Sequence, residues 1–532
     1  MEEAGRVSLK PAQQKRRCRE YACLATPTTT SVVRSVRCLV KGYYYTRYCC
    51  FSQGSRQRIS MAHITDKKTP HLPYPLGGAM LTSTWSFSRL LSSFRPAFRG
   101  SVFDSFFVLA IGAVVNRGRQ TVCGALRSYP FRVSKSWSAF HHFLSHTQWR
   151  PLQLSRILAT LLLDAMPACQ PVTLIVDDTL IRRWGSNVFR ISKHRDPIRS
   201  GKGQSTVFAL GHAWLVVAVS FQTRLRKRTW ALPVFIFPEI PKRIVEQEYE
   251  KTGKRQGQYR SPTRLVILAL RLLRRWFPQR DFIVLADGTL NTHELHRFVA
   301  NDPHLDVIGH FRKDALLHEA APPRTPGQRG RPRKIGQRLP APGQAAAMET
   351  ADWQSDTCNW YGQQTKDLRL LSGEACWYRP RETPVRVRWV VVRDPEGKNK
   401  DIAIATSCVT LTPPMIVNAY INRWAIETTF EESRRHLRIE TTENWTQKSI
   451  QRTTPLLFGL FSLIVLWFSE QHKQTTLFQQ KWYVKEDASF SDALFLLRTE
   501  IFMNAIFPES KAPKRFLKKN QEVLKLIISK AA

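Results

Sequence analysis

Two short apolar runs that end on aspartate constrain this chain more than any other feature. Residues 172–177 read Val-Thr-Leu-Ile-Val-Asp and residues 282–287 read Phe-Ile-Val-Leu-Ala-Asp. Branched apolar runs of this length form buried strands. A carboxylate at the end of such a strand is costly unless it is paired or binds a cation. Between the two runs lies a basic loop through Arg190, Lys193, Arg195, Arg199 and Lys202, then strand-like segments 213–221 and 230–237. A basic connection, Arg224-Leu-Arg-Lys-Arg228, joins that pair. Ser261-Pro262 opens a helix with apolar positions at Leu265, Leu268, Leu272 and Trp276, and Thr292 opens a shorter one after Asp287. Three strands, a helix, a strand and a helix is the order of a mixed-sheet α/β domain.

The flanks divide by composition. Residues 1–80 form a basic leader, whose first sixty residues mix Arg, Ser, Thr and Cys without a period and read as disordered. Met61 or Met80 would begin the folded part sensibly, leaving the leader as an extension or a mis-assigned start. Residues 81–168 are helical in pattern (87–94, 102–115 and 152–163). Basic and aromatic residues interleave there: Arg117, Arg119, Arg127, Tyr129, Arg132, Lys135, Trp137, His141 and His142. That composition suits either a DNA-docking domain or a plain helical cap. The core begins at 169–313 and is interrupted at 314–410 by a basic Pro/Gly loop (321–344) and a β-rich insertion. In the insertion, 385–392 and 401–405 form a hairpin closed by Asp394-Pro-Glu-Gly397. The core resumes over 411–508 with helices at 413–440 and 455–468, and 509–532 is a Lys-rich tail.

Charge narrows the partner. Across 532 residues, 81 Lys+Arg stand against 41 Asp+Glu, a net +40. A field of that sign points to a polyanion, most often nucleic acid. The longest apolar runs (106–115 and 455–468) fall short of the roughly 20 residues that span a bilayer, so they read as buried helices with no membrane partner. No signal peptide opens the chain. The ten cysteines include no Cys-x-x-Cys pair for zinc. Reduced thiols in a cytosolic protein fit best.

Residues 420–434 read Tyr-Ile-Asn-Arg-Trp-Ala-Ile-Glu-Thr-Thr-Phe-Glu-Glu-Ser-Arg. With Pro413 and Pro414 at its start and no Pro or Gly before Glu440, one long helix is predicted. At about 100° per residue, Tyr420, Arg423, Glu427 and Arg434 fall within roughly 60° of one another. Two guanidinium groups and a phenol on that stripe suit an anion such as phosphate, with Glu427 facing a metal or water. The same residues would also serve i,i+4 pairing on a solvated helix. Adjacent strand ends and a facing helix would bring Asp177, Asp287 and Glu427 together. Oxygen-only ligands suit Mg²⁺ or Mn²⁺, and two such ions activate water and stabilise a leaving 3′ oxygen.

These motifs resemble the DDE-class transposases of bacterial insertion sequences, in the IS-four-like lineage marked by a Tyr-x2-Arg-x3-Glu-x6-Lys helix. Tyr420, Arg423 and Glu427 match that spacing, and Arg434 stands where the lineage has Lys. Asp177-Asp178-Thr179 matches its first acidic motif and Asp287-Gly288-Thr289 its second, with the β-rich insertion between the second Asp and the Glu. The likeness covers about residues 85–491. It implies an RNase H-like mixed-sheet core that cuts transposon ends and joins the freed 3′ hydroxyl to target DNA. It further implies two Mg²⁺ (or Mn²⁺) ions held by Asp177, Asp287 and Glu427. Tyr420, Arg423 and Arg434 would grip phosphates of the double-stranded terminal inverted repeat. A homodimer is implied by synapsis of two ends.

Other candidates carry two readings each. Asp178 rivals Asp177, but strand neighbours point to opposite faces, so only one looks into the site. Trp424 is a core residue or a platform for an unpaired base. Glu431 lies near the Glu427 stripe as a support or a solvated charge. His194 and His293 sit near the Asp motifs as structural or exposed groups. Arg329-Gly330-Arg331-Pro332-Arg333-Lys334 resembles an AT-hook core, in which Arg331 and Arg333 would enter a narrow minor groove; a looser phosphate contact is the alternative. A metal-dependent nuclease without strand transfer and a catalytically inactive DNA-binding derivative are the competing functions.

Overall fold

A computed structural model describes residues 32–40, 43–51 and 85–506, except 197–198, 201–204, 223–227, 254–258, 325–328, 361–363 and 472–486. The chain divides into two compact units, Met1–Pro75 and Leu76–Ala532. In the first, Val32–Val40 pairs antiparallel with Tyr43–Phe51. This part of the leader, read as disordered, is rich in Val and Tyr, which suit an extended backbone. Met61, Met80, Lys202, most of the connection 224–228 and the tail 509–532 lie outside the described residues.

The second unit is built on a twelve-stranded sheet. Its strands are β1 (Val172–Arg182), β2 (Ser192–Arg195), β3 (Phe208–Gln222), β4 (Thr229–Glu239), β5 (Phe282–Ala286) and β6 (Leu305–Phe311). The insertion supplies β7 (Leu317–His318), β8 (Arg338–Leu339), β9 (Gln354–Trp360), β10 (Gln364–Trp377), β11 (Val385–Arg393) and β12 (Ile402–Thr406). β1 pairs antiparallel with β3, and β3 with β4. On its other side β1 runs parallel to β5, and β5 parallel to β6. The order β4-β3-β1-β5-β6, three antiparallel strands continued by two parallel ones, is an RNase H-like α/β sheet. β12 then adds antiparallel to β6, followed by β11 and β10. The insertion therefore extends the same sheet.

Several element limits differ from the sequence reading. β1 does not stop at Asp177 but continues to Arg182, paired with Gly211 of β3. Strand-forming Thr179-Leu-Ile181 resumes after the two carboxylates. β4 likewise runs past 237 to Glu239. β6 went unforeseen, its apolar alternation broken by Asp306 and Gly309. Gly309 is a true packing requirement: a Cβ there would come within 2.6 Å of the Asn291 side chain and 2.9 Å of the Ala286 carbonyl. Asn291 in turn donates to the His310 carbonyl and accepts from His296. Gly309→Val is expected to destabilise the protein by about 3 kcal/mol through overpacking, measurable as a fall in the denaturation midpoint.

Five helices precede the sheet: α1 (Ser86–Ser92), α2 (Val102–Val115), α3 (Val122–Ser128), α4 (Trp137–Ser145) and α5 (Pro151–Asp164). Then come α6 (Lys242–Thr252), α7 (Pro262–Trp276), α8 (His293–Val299) and α9 (Pro342–Ala345). Ser261 and Thr292 accept from the backbone at the starts of α7 and α8. The fully buried stripe of α7 is Val266, Ala269, Leu270 and Leu273, with Leu268 and Leu272 only half-covered.

The predicted helix 413–440 is three pieces: α10 (Pro413–Ile421), a single 3₁₀ turn (Asn422–Trp424) and α11 (Ala425–His436). Arg438, in the left-handed region at φ 50°, turns the chain after α11. Nothing in residues 421–425 announces that break, because 3₁₀ turns need neither Pro nor Gly.

α12 (Gln447–Glu470) begins well before Pro455, capped by Thr446, and α13 (Phe490–Ile506) follows. Among the described residues α12 alone is long and apolar enough to cross a membrane, and 78% of its apolar window is buried inside the protein. It packs against β4 and against α1, α4, α5 and α13. Residue 168 therefore marks no break in the core, which runs continuously from the helices into the sheet. Arg452 of α12 fastens the helices. Buried itself, it donates to the carbonyls of Phe143, Leu144, Thr147 and Trp149 at 2.8–3.2 Å. Arg452→Ala orphans these carbonyls, and a loss of about 3 kcal/mol in unfolding free energy is expected by denaturant titration.

Candidate active site

The parallel ladder between β1 and β5 fixes two carboxylates. Its last pair is Val176 with Ala286, so the next residue on each strand is Asp177 and Asp287. A turn holds Asp287: its Oδ1 accepts from the amides of Thr289 and Leu290 at 3.1 and 3.0 Å and from the Thr289 hydroxyl at 2.9 Å. His310 follows Gly309, the partner of Ala286 on β6, and lies against Gly288.

The third acid arrives from the opposite element. Across the 3₁₀ turn, the Arg423 guanidinium donates from Nη1 to Asp177 Oδ2 at 2.9 Å and from Nη2 to Glu427 Oε1 at 3.0 Å. One cation thus ties the sheet carboxylate to the helix carboxylate. Arg423 also lies 5.9 Å from the centre of the buried Tyr420 ring. Burial pushes the Asp177 carboxyl up to about 7; Arg423 pulls it down, while Asp287 and Asp178 push it further up. Asp178 also neighbours Asp287 and Glu239. Its carboxyl is raised too, by desolvation and then by Asp287.

Sequence reading missed a fourth acid. Glu239, the last residue of β4, is pushed up to about 8 by burial and then by Asp178, Asp177 and Asp287. Its Oε1 is buried without a hydrogen-bond partner among the described residues. The signal was the same as for the two aspartates, an apolar strand ending on a carboxylate, but Pro238 and Pro241 made the segment look like a loop.

The remaining sequence candidates are distributed as follows. Arg434 is turned inward, donating to the Thr179 hydroxyl and to the Leu180 carbonyl at 3.2 Å, with Glu440 at 3.4 Å. Glu440 also meets Arg182, which forms a two-point pair with the fully buried Asp196. This network fixes α11 to the far half of β1. Trp424 is half exposed and Glu431 exposed. His194 is hydrogen-bonded to Ser192, and buried His293 to Glu382. Arg331 and Arg333 are exposed on the loop between β7 and β8, at the edge of the sheet farthest along the insertion from β1.

The donor set suits a hard divalent ion, because its ligands are oxygens only. Among the described residues, no three ligating side chains enclose such an ion in this arrangement, in which Arg423 stands between Asp177 and Glu427. Cys123, Cys169, Cys358, Cys376 and Cys408 form no disulfide.

A protein-family model described as DDE superfamily endonuclease matches residues 99–367, just over half of the chain. The match takes in Asp177, Glu239 and Asp287 and ends before Glu427. No curated protein matches the chain.

Proposed function

Because the chain belongs to the DDE superfamily endonucleases, for which DNA is the substrate class, we propose that it is an insertion-sequence transposase of the IS-four-like lineage. It would cleave the inverted repeats at the ends of its element and join the freed 3′ hydroxyl to target DNA. The observation that carries this reading is the Arg423 bridge, which sets Glu427 of the helix signature against Asp177 of the strand pair.

In this reading Asp177, Asp287 and Glu427 would hold two Mg²⁺ or Mn²⁺ ions, which would supply the positive charge that activates an attacking oxygen and stabilises a leaving one. The chain's own residues orient the strand. Arg423 would serve the scissile phosphate as a two-pronged donor. Tyr420 lies beside that guanidinium, and Arg434 holds α11 against β1. Two copies act in a synaptic complex, one on each end.

The test is a reaction of purified protein, Mg²⁺, a DNA bearing the element's own ends and a target plasmid. Covalently joined donor–target products are expected. A second reading, a metal-dependent nuclease without strand transfer, is favoured by the family's description as endonuclease. Cut ends with no joined product would establish it instead.

A further inference from the structure

Four of the twelve large apolar side chains most exposed among the described residues fall on neighbouring segments beyond the far end of β1. Trp184 is 70% exposed, Phe208 63%, Trp445 61% and Leu210 41%. Leu210 and Phe208 stand directly across the β2–β3 ladder from Lys193 and Arg195. These are cross-strand pairs, so each apolar side chain shares a face with a cation. Both cations are exposed, and neither has an ion-pair partner among the described residues. The Arg183 amide donates to the Leu210 carbonyl, which places Trp184 beside this hairpin. The Phe189 amide donates to the Trp445 carbonyl, tying the second tryptophan to the same loop. Exposed Lys448 follows on the first turn of α12.

Bare aromatics interleaved with unpaired cations are poorly suited to a solvated surface and equally poorly to an apolar protein partner. They fit a strand whose phosphates meet Lys193, Arg195 and Lys448 and whose bases stack on the rings. A duplex hides its base faces, so the matching ligand is unpaired DNA. Five residues of β1 separate Asp177 from Arg182, about 17 Å at the strand rise, or about five stacked nucleotides at 3.4 Å each. We infer that Trp184, Phe208 and Trp445, with Lys193 and Arg195, form a docking surface for single-stranded DNA leading toward the catalytic acids. This inference rests on the DNA-processing reading above.

Anisotropy of a labelled single-stranded oligonucleotide and of its hairpin duplex, titrated with full-length protein, tests it. Trp184→Ala/Trp445→Ala is expected to weaken single-strand binding about tenfold or more and to change duplex binding little. It should also abolish the quenching of tryptophan fluorescence that the single strand produces in the wild type. Lys193→Gln/Arg195→Gln should flatten the log–log salt slope for the single strand by about 1.4. Wild-type single-strand affinity and salt slope in both double variants would overturn the surface while leaving the proposed function standing. So would altered self-association with DNA binding unchanged, which would make the patch a protein interface. Wild-type protein that binds neither DNA form would overturn both.

Discussion

Glu427→Gln is expected to slow cutting of the element's ends at least a thousandfold while leaving end binding within about threefold. Gln keeps the length of the side chain and an oxygen that can still accept from Arg423 Nη2, at 3.0 Å in the wild type. The helix geometry should therefore survive. What disappears is a negative charge that, with Asp177 and Asp287, would hold the cations. A thousandfold loss corresponds to about 4 kcal/mol of transition-state stabilisation, a magnitude within reach for loss of a metal-holding carboxylate. Gel analysis of cleavage alongside a mobility-shift titration separates chemistry from binding. Normal cutting by the variant would remove Glu427 from the site.

Arg423→Ala has the next largest expected effect, and it reaches stability as well as activity. Asp177 and the arginine side chain are each only 15% exposed. Deleting the guanidinium leaves Asp177 beside Asp287 and Asp178 with its counter-charge gone. Breaking a buried pair on one side costs about 3–5 kcal/mol, but Glu427 is 38% exposed and partly screened. A loss of about 2–3 kcal/mol near pH 8 is the discounted figure. Divalent cation should restore part of it, since a ligand that binds only the folded state stabilises by mass action. Millimolar Mg²⁺ or Mn²⁺ should thus raise the melting temperature of the variant more than that of the wild type. Equal shifts in both would mean that Arg423 does not stand where cations bind. Arg423→Lys, with a single point charge in place of the fork, is expected to fall between the two.

The two aspartates were legible because strand propensity and charge conflict openly there. An apolar run that ends on a carboxylate is visible in any window, and Val176–Ala286 pairing then set Asp177 and Asp287 side by side. Glu239 carries the same conflict but was masked by flanking prolines. The Tyr420–Arg434 spacing survived the 3₁₀ turn because Arg423 and Glu427 still meet at i,i+4. The sequence suggests that Arg434 faces DNA, yet its Nη2 donates to Thr179 and Leu180 and its Nε lies 3.4 Å from Glu440. No periodicity could have shown this, since Glu440 comes into reach only after the left-handed turn at Arg438. The union of the N-terminal helices with the sheet was equally hidden. It depends on α12 being apolar around much of its circumference, and on Arg452 reaching carbonyls some three hundred residues earlier in sequence. Local pattern specifies elements well and their tertiary partners poorly.

In the proposed reading, carboxylates from β1, the end of β5 and α11 jointly hold divalent ions. Mn²⁺ titration followed by electron paramagnetic resonance of the free ion reads this directly, without DNA or turnover. Two ions per chain are expected for the wild type, with affinity lost or stoichiometry reduced in Asp177→Asn, Asp287→Asn and Glu427→Gln alike. A wild type that takes up no Mn²⁺, or three variants that bind it as the wild type does, would contradict the account.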